Sequence, residues 1–451
     1  MHRGSISSTY FIACAMSLAL AACSGGGMQS VSLPAVPSAA NHATTVVPSA
    51  APASPTATAS ALSSPTAAPA DSFVDSIGAN SHFTYSGSSY ATNFSAISAA
   101  LVASGIRHIR DGAPGEPGAQ ALAYLGQAGI KHSIGFPVTT TAAQISATIS
   151  ENLPYVDFVE PANEFDENAA SDPNWASEIA SEQQLLYGTV HSNPAYAAIK
   201  VLGPSLADAA HAAAVGPLDA YEDAGNLHDY PCSYNPGTSN AYGIAANTTF
   251  LRASTQWKPI WTTEVGYADN MTQWPCALSD TEIAKFDPRT VAERWMYGET
   301  HTYFYQFADM DPNQNYNSMG LVSTDGAPKP QYVALQSMIS LLADPGPQFQ
   351  PTSLAYSLSG GTSNVQQLLL QKRDGSYYLL LWSELPGWDA TSGLPIAVAP
   401  QNVSITFAKA PSLAVEYVYT VNWALVGTPL PSSTTMSIPV TDAITFVHLK
   451  V

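Results

Sequence analysis

The sequence predicts an α/β fold, a (β/α)8 TIM barrel, followed by a small antiparallel β-sandwich. Between residues 71 and 345, short apolar runs alternate with stretches of helical periodicity, and eight of these runs have the length of strands. Several runs end in polar side chains, many of them carboxylates, as expected where barrel strands share one mouth. After about residue 346 the helical periodicity disappears and only β-rich runs remain. We therefore expect a barrel over 71–345 and a sandwich over 346–451.

Eight apolar runs are the predicted barrel strands. A doubly wound open sheet would show the same alternation, but no glycine-rich phosphate-binding fingerprint follows the first run. The predicted strands cover residues 74–80, 106–110, 130–136, 156–160, 199–203, 227–230, 259–264 and 303–307.

Helices are predicted between these strands. Phe94, Ile97 and Leu101 recur at the spacing that places side chains on one face of a helix. The same type of pattern predicts helices over residues 175–191, 289–300 and 330–342.

The last hundred residues carry the signals of a β-sandwich. Gly, Pro, Asp and Ser separate the β-rich runs, and 372–375 has the composition of a hairpin turn. We expect this sandwich to pack beside the barrel and to be completed by a strand near Phe73. The runs cover residues 366–370, 377–382, 403–407, 415–420 and 444–449.

The first 22 residues are interpreted as an export signal. His2 and Arg3 form a short basic start, and residues 10–22 are apolar or small but too few to span a membrane. The segment 20–23 resembles a bacterial lipobox, in which Cys23 is lipidated and becomes the mature N-terminus. The alternative is an ordinary cleaved signal peptide in which Cys23 has no role.

A tether is predicted to follow, so that residues 23–70 comprise the lipidated cysteine and a flexible spacer. Residues 24–70 are mostly Ala, Ser, Pro and Thr, and they contain no Asp, Glu, Lys or Arg. Such a stretch cannot bury a core. We expect an exported protein held to the bacterial cell envelope by lipid. Ser24 after the cysteine is compatible with the outer membrane, on its periplasmic face or at the cell surface.

Charge excludes several classes of partner. The formal net charge is −19, with 15 Lys and Arg against 34 Asp and Glu. Nucleic acids and anionic membrane surfaces select basic patches, so no nucleic-acid partner is expected. The same balance disfavours a highly acidic polysaccharide, unless a local basic groove exists.

Cysteine usage agrees with export. Cys14 lies in the predicted signal and Cys23 is the predicted anchor, which leaves Cys232 and Cys276 in the folded part. An even pair in an oxidising compartment favours a disulfide, the alternative being two unrelated thiols. No Cys/His spacing indicates a metal site, and no motif predicts a cofactor.

Two glutamates at strand ends point to the chemistry. Glu164 follows the fourth predicted strand and Glu264 ends the seventh. Two carboxyl groups that face one bond are what glycoside hydrolysis needs, one to donate a proton and one to attack or to activate water. Neither His228 nor any other histidine is accompanied by a serine nucleophile motif, so acyl transfer is not indicated. Other polar residues at the strand ends are His82, Arg110, Asp111, Glu160, Asn163, Asp229, Tyr230 and Tyr305.

These motifs resemble a known group of enzymes. An Asn-Glu pair after the fourth strand, here Asn163-Glu164, and a Glu at the end of the seventh are the signature of the retaining (β/α)8 glycoside hydrolases grouped as clan A. The spacing within 160–166, the segment 263–267 and the C-terminal sandwich are most similar to family 39. The resemblance covers roughly residues 71–451.

The resemblance implies roles for individual residues. Glu164 would be the general acid/base and Glu264 the nucleophile. Asn163 would bind the sugar 2-hydroxyl, and Arg110 would hold the nucleophile ionised. His228 and Tyr230 would line the catalytic subsite and orient Glu264.

Other candidate contacts are less determined. The eighth strand lacks the tryptophan that many clan A enzymes carry at its end, which leaves Tyr305 or Phe307 to form that side of the site. His82 is either a substrate contact or a core histidine, and Glu160 is either a substrate contact or a support for one. Trp274 is a candidate sugar platform.

The sequence thus predicts a lipid-anchored retaining glycosidase whose partner is a poly- or oligosaccharide. One alternative is a clan A enzyme of another family. The other is a catalytically silent carbohydrate-binding lipoprotein that uses the same cleft, which the presence of both glutamates disfavours.

Overall fold

The computed structural model describes residues 62–113, 115, 118–271, 276–311 and 317–451. The predicted signal, Cys23 and most of the predicted tether lie outside this part of the chain, as does Trp274. Within it, the predicted (β/α)8 barrel with an appended antiparallel β-sandwich is confirmed.

The barrel sheet follows a short strand, β1, at Ala68–Pro69. Its strands run in the order β6-β5-β4-β3-β2-β9-β8-β7, and all the pairs are parallel. A parallel bridge between Leu202 and Ala224 joins the two outer strands. The eight strands are β2 (Ile77–Asn80), β3 (His108–Arg110), β4 (Lys131–Gly135), β5 (Val156–Glu160), β6 (Lys200–Val201), β7 (Gly225–His228), β8 (Ile260–Val265) and β9 (Glu299–Phe304).

The helices surround this sheet, and two of them, α6 and α10, have the predicted bounds. None of the helices in the described part of the chain is long and apolar enough to cross a membrane. The α-helices are α1 (Ala70–Asp75), α2 (Ser89–Thr92), α3 (Phe94–Ser104), α4 (Gly118–Gln127), α5 (Ala142–Asn152), α6 (Trp175–His191), α7 (Ala212–Val215), α8 (Ile244–Leu251), α9 (Asp280–Met296) and α10 (Pro330–Leu342).

Helix α9 differs from its prediction over 289–300. It begins at Asp280, where the Ser279 side chain accepts a hydrogen bond from the Glu282 backbone, and it ends at Met296. Pro288 lies inside it, and a proline normally ends a helical pattern. The first half of this helix was therefore not predicted from the sequence.

The first and last barrel strands also differ from prediction. Residues 70–75 are helical, so β2 begins at Ile77 rather than at residue 74. Strand β9 begins at Glu299, earlier than predicted, because Arg294 neutralises this buried carboxylate at 3.1 Å. From the sequence alone, a charged residue does not indicate the start of a buried strand, because its ion-pair partner is not known.

The C-terminal part contains two main antiparallel sheets and a small hairpin. One sheet has the order β1-β11-β12-β19-β16-β17 and the other β10-β15-β18. Their apolar faces enclose a core that includes Leu379, Ile405 and Val447. The strands are β10 (Tyr356–Gly360), β11 (Val365–Gln371), β12 (Tyr377–Ser383), β13 (Trp388–Asp389), β14 (Leu394–Pro395), β15 (Gln401–Phe407), β16 (Leu413–Tyr419), β17 (Leu425–Pro429), β18 (Thr435–Val440) and β19 (Thr445–Lys450).

The predicted tether ends before residue 70. Strand β1 pairs in parallel with β11, and Ser63 forms a bridge with Tyr356. The added strand is therefore β1, whereas Phe73 lies in α1. A strand supplies backbone donors and acceptors whatever its side chains are, so a composition of Ala, Ser, Pro and Thr does not reveal this pairing.

The barrel and the sandwich share one apolar cluster, which includes Phe73, Val291, Tyr332 and the fully buried Trp382. The cluster is flanked by ion pairs, of which the closest joins Arg289 on α9 to Glu384 at 2.6 Å.

Candidate active site

The two predicted catalytic glutamates lie side by side. Glu264 lies within β8, and Glu164 lies in the loop after β5. Both are buried, at 7% and 6% exposure. One carboxylate oxygen of each lies within 4.8 Å of the other. Retaining glycosidases place their carboxyl groups about 5 Å apart, so this separation fits a direct attack rather than an intervening water.

Glu164 has an unusual backbone conformation. Its φ of 45° and ψ of 44° lie in the left-handed region, which residues other than Gly, Asn and Asp seldom adopt. Such conformations cost of the order of 1–3 kcal/mol and concentrate at functional sites.

Arg110 connects the predicted site residues. Its Nη1 donates to Glu264 Oε1 at 2.5 Å and to Asn80 Oδ1 at 3.0 Å. Its Nε donates to Glu160 Oε1 at 2.5 Å and its Nη2 to Asn163 Oδ1 at 2.7 Å. The guanidinium thus contacts the nucleophile candidate as expected, and Glu160 acts as a support for Arg110.

Glu264 is held in its ionised form. Burial raises its pKa, but the charges of His228 and Arg110 and the hydrogen bond from Tyr230 more than offset burial, so the pKa lies below its ordinary value. Tyr230 donates its hydroxyl to Glu264 Oε2 at 2.5 Å. Arg110 and Tyr230 therefore each hold one oxygen of the carboxylate.

His228 contacts the other glutamate. Its Nδ1 lies 2.8 Å from Glu164 Oε1 and 3.6 Å from Glu264 Oε2. His228 therefore bonds Glu164 directly and also lies beside Glu264, so its interactions are shared between the two carboxyl groups. Tyr230 makes the expected contact with Glu264.

Three residues of the site were not singled out from the sequence, and two of them, Asn226 and Thr263, fix the histidine tautomer. Asn226 Nδ2 donates to Glu160 at 2.9 Å, so Asn226 Oδ1 accepts the proton of Thr263 at 2.5 Å. Thr263 Oγ1 then accepts from His228 Nε2 at 3.1 Å, which leaves Nδ1 to share one proton with Glu164.

The third of these residues, Asn80, donates to the Thr263 carbonyl at 2.8 Å. A sequence signal for Asn226 existed. It precedes His228 by two positions on β7, and residues at that spacing share one face of a strand.

Aromatic rings line another side of the site. The His82 ring lies 5.6 Å from Tyr305 and 4.7 Å from Tyr85, and Tyr305 lies 6.4 Å from Tyr230. Burial lowers the pKa of His82 to about 4, so this ring is neutral. Phe307 is fully buried in the shared apolar cluster, which leaves Tyr305 as the residue near the catalytic pair.

Two further carboxylates, those of Asp111 and Asp166, accept hydrogen bonds from neighbouring loops. Asp111 accepts hydrogen bonds from Ser81 Oγ and the Phe83 amide, and burial raises its pKa to about 6. Asp166 accepts from the amides of Ala207 and Asp208. These bonds tie neighbouring loops together at the mouth of the barrel.

The predicted disulfide between Cys232 and Cys276 is present, with Cα atoms 4.6 Å apart. It joins the loop after β7, which carries Tyr230, to the loop after β8. The bond therefore restrains the region beside Glu264.

One group in the described residues has the composition of a metal site, namely Glu164, His228 and Glu264. Both oxygens of Glu264 already accept hydrogen bonds, and Arg110 places a positive charge beside them. This arrangement suits a pair of reacting carboxyl groups better than a cation.

Comparison with solved structures shows proteins of the same fold. A family 39 glycoside hydrolase from the gut symbiont Bacteroides cellulosilyticus is 16% identical, with a TM-score of 0.58, over 85% of this chain and 81% of that chain. A monomeric β-xylosidase from Caulobacter crescentus is 12% identical, with a TM-score of 0.56, over 85% of this chain and 97% of that one.

An α-L-arabinofuranosidase from Thermotoga maritima is 11% identical, with a TM-score of 0.54, over 87% of this chain and 98% of that one. No family model matches the sequence, and no curated protein matches it. At such low identities the likenesses establish the fold. The chemistry is argued from the site itself.

Proposed function

We propose that this protein is a retaining glycoside hydrolase of the clan A type, most similar to family 39, which cleaves O-glycosidic bonds of a poly- or oligosaccharide. The observation that carries the proposal is the approach of Glu164 and Glu264 to within 4.8 Å. Each has distinct partners. Arg110 and Tyr230 hold Glu264, and His228 lies beside Glu164.

In the first step, a Glu264 oxygen attacks the anomeric carbon while Glu164 donates its proton to the departing oxygen. This forms a covalent glycosyl–enzyme intermediate. Each oxygen of Glu264 has two lone pairs and accepts one hydrogen bond, from Arg110 or from Tyr230. A second lone pair on each oxygen therefore remains for attack. Asn163 would hold the sugar 2-hydroxyl, and the support for this role is the bond that its side-chain oxygen accepts from Arg110 beside Glu264.

In the second step, Glu164 removes a proton from water as the water oxygen attacks the anomeric carbon, and Glu264 departs as a carboxylate. Because each displacement inverts the centre, the product retains its configuration. His228 Nδ1, which lies 2.8 Å from Glu164 Oε1, holds this carboxyl group in position.

Leaving-group dependence tests these roles. Glu264→Ala should abolish turnover on every glycoside. Glu164→Ala should slow substrates with poor leaving groups by roughly 10²–10⁴-fold, but affect activated aryl glycosides far less, because these need no proton. Glu167→Gln, at an exposed carboxylate of the same loop, is the matched control and should retain activity. Equal losses on both substrate types would remove Glu164 as the acid. A protein that binds glycan without any turnover would favour the silent carbohydrate-binding alternative.

We also propose that Cys23 carries lipid and that the segment after it tethers the enzyme to the cell envelope, at the outer membrane. The support is the lipobox-like 20–23 and the uncharged composition of residues 24–61. A diacyl chain with an added acyl chain exceeds what stable membrane attachment requires. Cys23→Ala should move the protein from the membrane fraction to the soluble fraction. A chain that begins at residue 62, and so keeps β1, should be active on small substrates, whereas loss of activity in that folded chain would contradict a simple tether.

A further inference from the structure

We propose that the catalytic cleft accepts an uncharged glycan and rejects sugars that bear carboxylate, sulfate or phosphate groups near the scissile bond. This inference rests on the proposed glycosidase function. It is carried by the positions of all the cationic side chains. Lys and Arg form the strongest bonds to anionic sugars, and a buried charge without a partner is costly.

Most of the 15 Lys and Arg residues lie away from the cleft. Active sites of barrels form at the carboxyl ends of the strands, so residues at the amino ends lie at the opposite end. Those at or before the amino ends of barrel strands are Arg107, Lys131, Lys200, Arg252 and Lys258. Those in the sandwich are Lys372, Arg373, Lys409 and Lys450. Lys372 donates to the Leu341 carbonyl at the end of α10, Arg373 pairs with Asp344, and Lys450 pairs with Asp374.

Helix α9 carries three more, and each is paired with carboxylates. Lys285 binds Asp442 at 2.8 Å, and Arg289 binds Glu384. The side chain of Arg294 is 1% exposed. Its partners are Asp229, at 2.7 Å, and Glu299. Arg3 lies outside the described residues. Among the cations of the described part of the chain, Arg110 and Lys329 are those that belong to the carboxyl end of the barrel.

Four of the five N–H groups of Arg110 are already donated within the protein, so this residue has little remaining capacity for an anion. Three of its nitrogens donate to four partners, two of which are the carboxylates of Glu160 and Glu264. Only 9% of its side chain is exposed. One guanidinium is thus shared between two carboxylates, so it offers no net positive charge to an anionic substituent.

Lys329 is saturated in the same way. Its Nζ lies 2.5 Å from Asp269 and 2.6 Å from Asp309, with 13% of the side chain exposed. Asp280 adds a third carboxyl group. Burial is the main cause that raises the pKa of Asp280 to about 6, and the charge of Asp269 raises it further. This cluster therefore adds negative charge to the loops rather than a counter-ion.

The histidines of the cleft are either neutral or already paired. At the mouth, His211 binds Asp166 at 2.9 Å. His82 is neutral because burial lowers its pKa to about 4. The side chain of His228 is 1% exposed, and both of its nitrogens are bonded within the protein. The segments 272–275 and 312–316, which follow β8 and β9 in the sequence, contain neither Lys, Arg nor His.

An anionic substituent close to Glu264 would thus meet Glu264, Glu160 and Asp111 without a partner in the described residues. If the anionic substituent lies about 7 Å from one uncompensated carboxylate, at an effective dielectric constant near 20, the repulsion should lower kcat/KM roughly 50-fold. The net charge of −19 adds long-range repulsion that salt reduces. Hydroxyl groups of a neutral sugar meet no such penalty, and Asn163, Tyr85 and Tyr305 offer polar groups to them.

The test uses pairs of 4-nitrophenyl glycosides that differ only at C6, with a hydroxymethyl group in one and a carboxylate in the other. We expect kcat/KM for the uronide to be lower by about 50-fold or more than for its neutral partner. Equal or faster hydrolysis of the uronide would overturn the inference. Binding of neutral and carboxylated oligosaccharides to the full chain, measured by titration calorimetry, separates this outcome from failure of the proposed function.

Binding of the neutral oligosaccharide alone, without turnover of any glycoside, would keep the charge inference and remove the enzymatic proposal. Binding of the carboxylated form, or of neither form, would overturn the inference. Tyr85 is 38% exposed and lies beside His82, so an arginine at this position would supply a counter-ion for the carboxylate of the uronide. Tyr85→Arg should narrow the neutral-to-uronide ratio at least fivefold relative to Tyr85→Gln, and an unchanged ratio would count against charge as its cause.

Discussion

Arg110 Nη1 lies 2.5 Å from Glu264 Oε1, and both side chains are only 9% exposed. The same guanidinium binds Glu160 through Nε. Because the two carboxylates share one cation, the positive charge is fixed beside Glu264 and is kept from other anions. This pair links the ionisation of the proposed nucleophile to the charge selectivity of the cleft.

Replacing Arg110 should move the acidic limb of the pH profile. The pKa of Glu264 lies below its ordinary value, and burial alone would raise it. In Arg110→Gln the pKa of Glu264 should rise, so activity should be lost at a higher pH as the solution is acidified. Loss of a charged hydrogen bond should also lower kcat/KM by roughly 10–100-fold. The measurement is kcat/KM against pH with an activated aryl glycoside.

Arg107→Gln provides the control for Arg110→Gln. Arg107 pairs with Asp71 and Asp75 at the amino end of the strands, away from the glutamates. It should leave the pH profile unchanged. An acidic limb in Arg110→Gln that coincides with the wild-type limb would show that Arg110 does not control Glu264.

Removing the Tyr230 hydroxyl should weaken catalysis while the fold is kept. Tyr230→Phe deletes the 2.5 Å bond to Glu264 Oε2 and retains the ring. Hydrogen bonds to charged groups contribute about 1.5–3 kcal/mol, which corresponds to a fall in kcat/KM of roughly 10–100-fold. The control is Tyr234→Phe in the same loop, where the backbone carbonyl rather than the ring bonds Tyr267. Similar rates for both variants would remove Tyr230 from the site.

The disulfide should contribute to both stability and activity. Cys232 and Cys276 are separated by 44 positions, and loop-entropy reasoning assigns such a bridge about 4 kcal/mol. The double variant Cys232→Ser with Cys276→Ser should lose roughly this much free energy of unfolding in denaturant titrations. Its kcat/KM should fall as well, because the bridge restrains the loop of Tyr230. Wild-type protein treated with a reductant should behave like the variant, and unchanged stability in both would contradict this role.

A buried histidine at the amino end of the barrel should make stability depend on pH. Burial lowers the pKa of His108, but Asp157 at 2.6 Å and Asp75 at 3.2 Å raise it overall to about 9. The folded pKa exceeds the unfolded value of 6.5, so this contribution is fully present below pH 6.5 and is lost as pH rises through 9. It amounts to the order of 3 kcal/mol.

The free energy of unfolding of the wild type and His108→Gln, measured from pH 6 to pH 10, tests this contribution. The variant should be less stable at pH 6, and the two curves should converge near pH 10. His191→Gln, at a partly exposed pair with Asp223, should change stability by less than about 1 kcal/mol. Curves for His108→Gln that run parallel to the wild type across this range would contradict the raised pKa.

The sequence predicted the barrel because apolar periodicity is a local property. The runs near Val156–Glu160 and the helices Trp175–His191 and Pro330–Leu342 could be located within a residue or two. Parallel strands place their carboxyl ends at one edge, so Glu164, Glu264 and Arg110 could be expected in one site before any distance was known. The pairing of Cys232 with Cys276 followed from their number and from the predicted export signal.

Other features depended on partners distant in the sequence. Residues 62–70 have the composition of a tether, yet Ala68–Pro69 pairs with Val365–Gln371 through backbone groups that composition does not report. Glu299 could be the start of a strand only because Arg294 neutralises it. Pro288 interrupted the pattern of α9, although the helix continues through it.

The sequence by itself determined which chemical groups this protein has and roughly where its strands end. Only the tertiary structure decided how they pair: His228 with Glu164, Asn226 with Glu160 and Thr263, and every cation at the mouth of the barrel with carboxylates. The reason is physical. The periodicity that reveals most helices and strands is a property of near neighbours in the chain. Hydrogen bonds and ion pairs require atoms within about 3 Å, and those distances are set by packing between segments that are far apart in sequence.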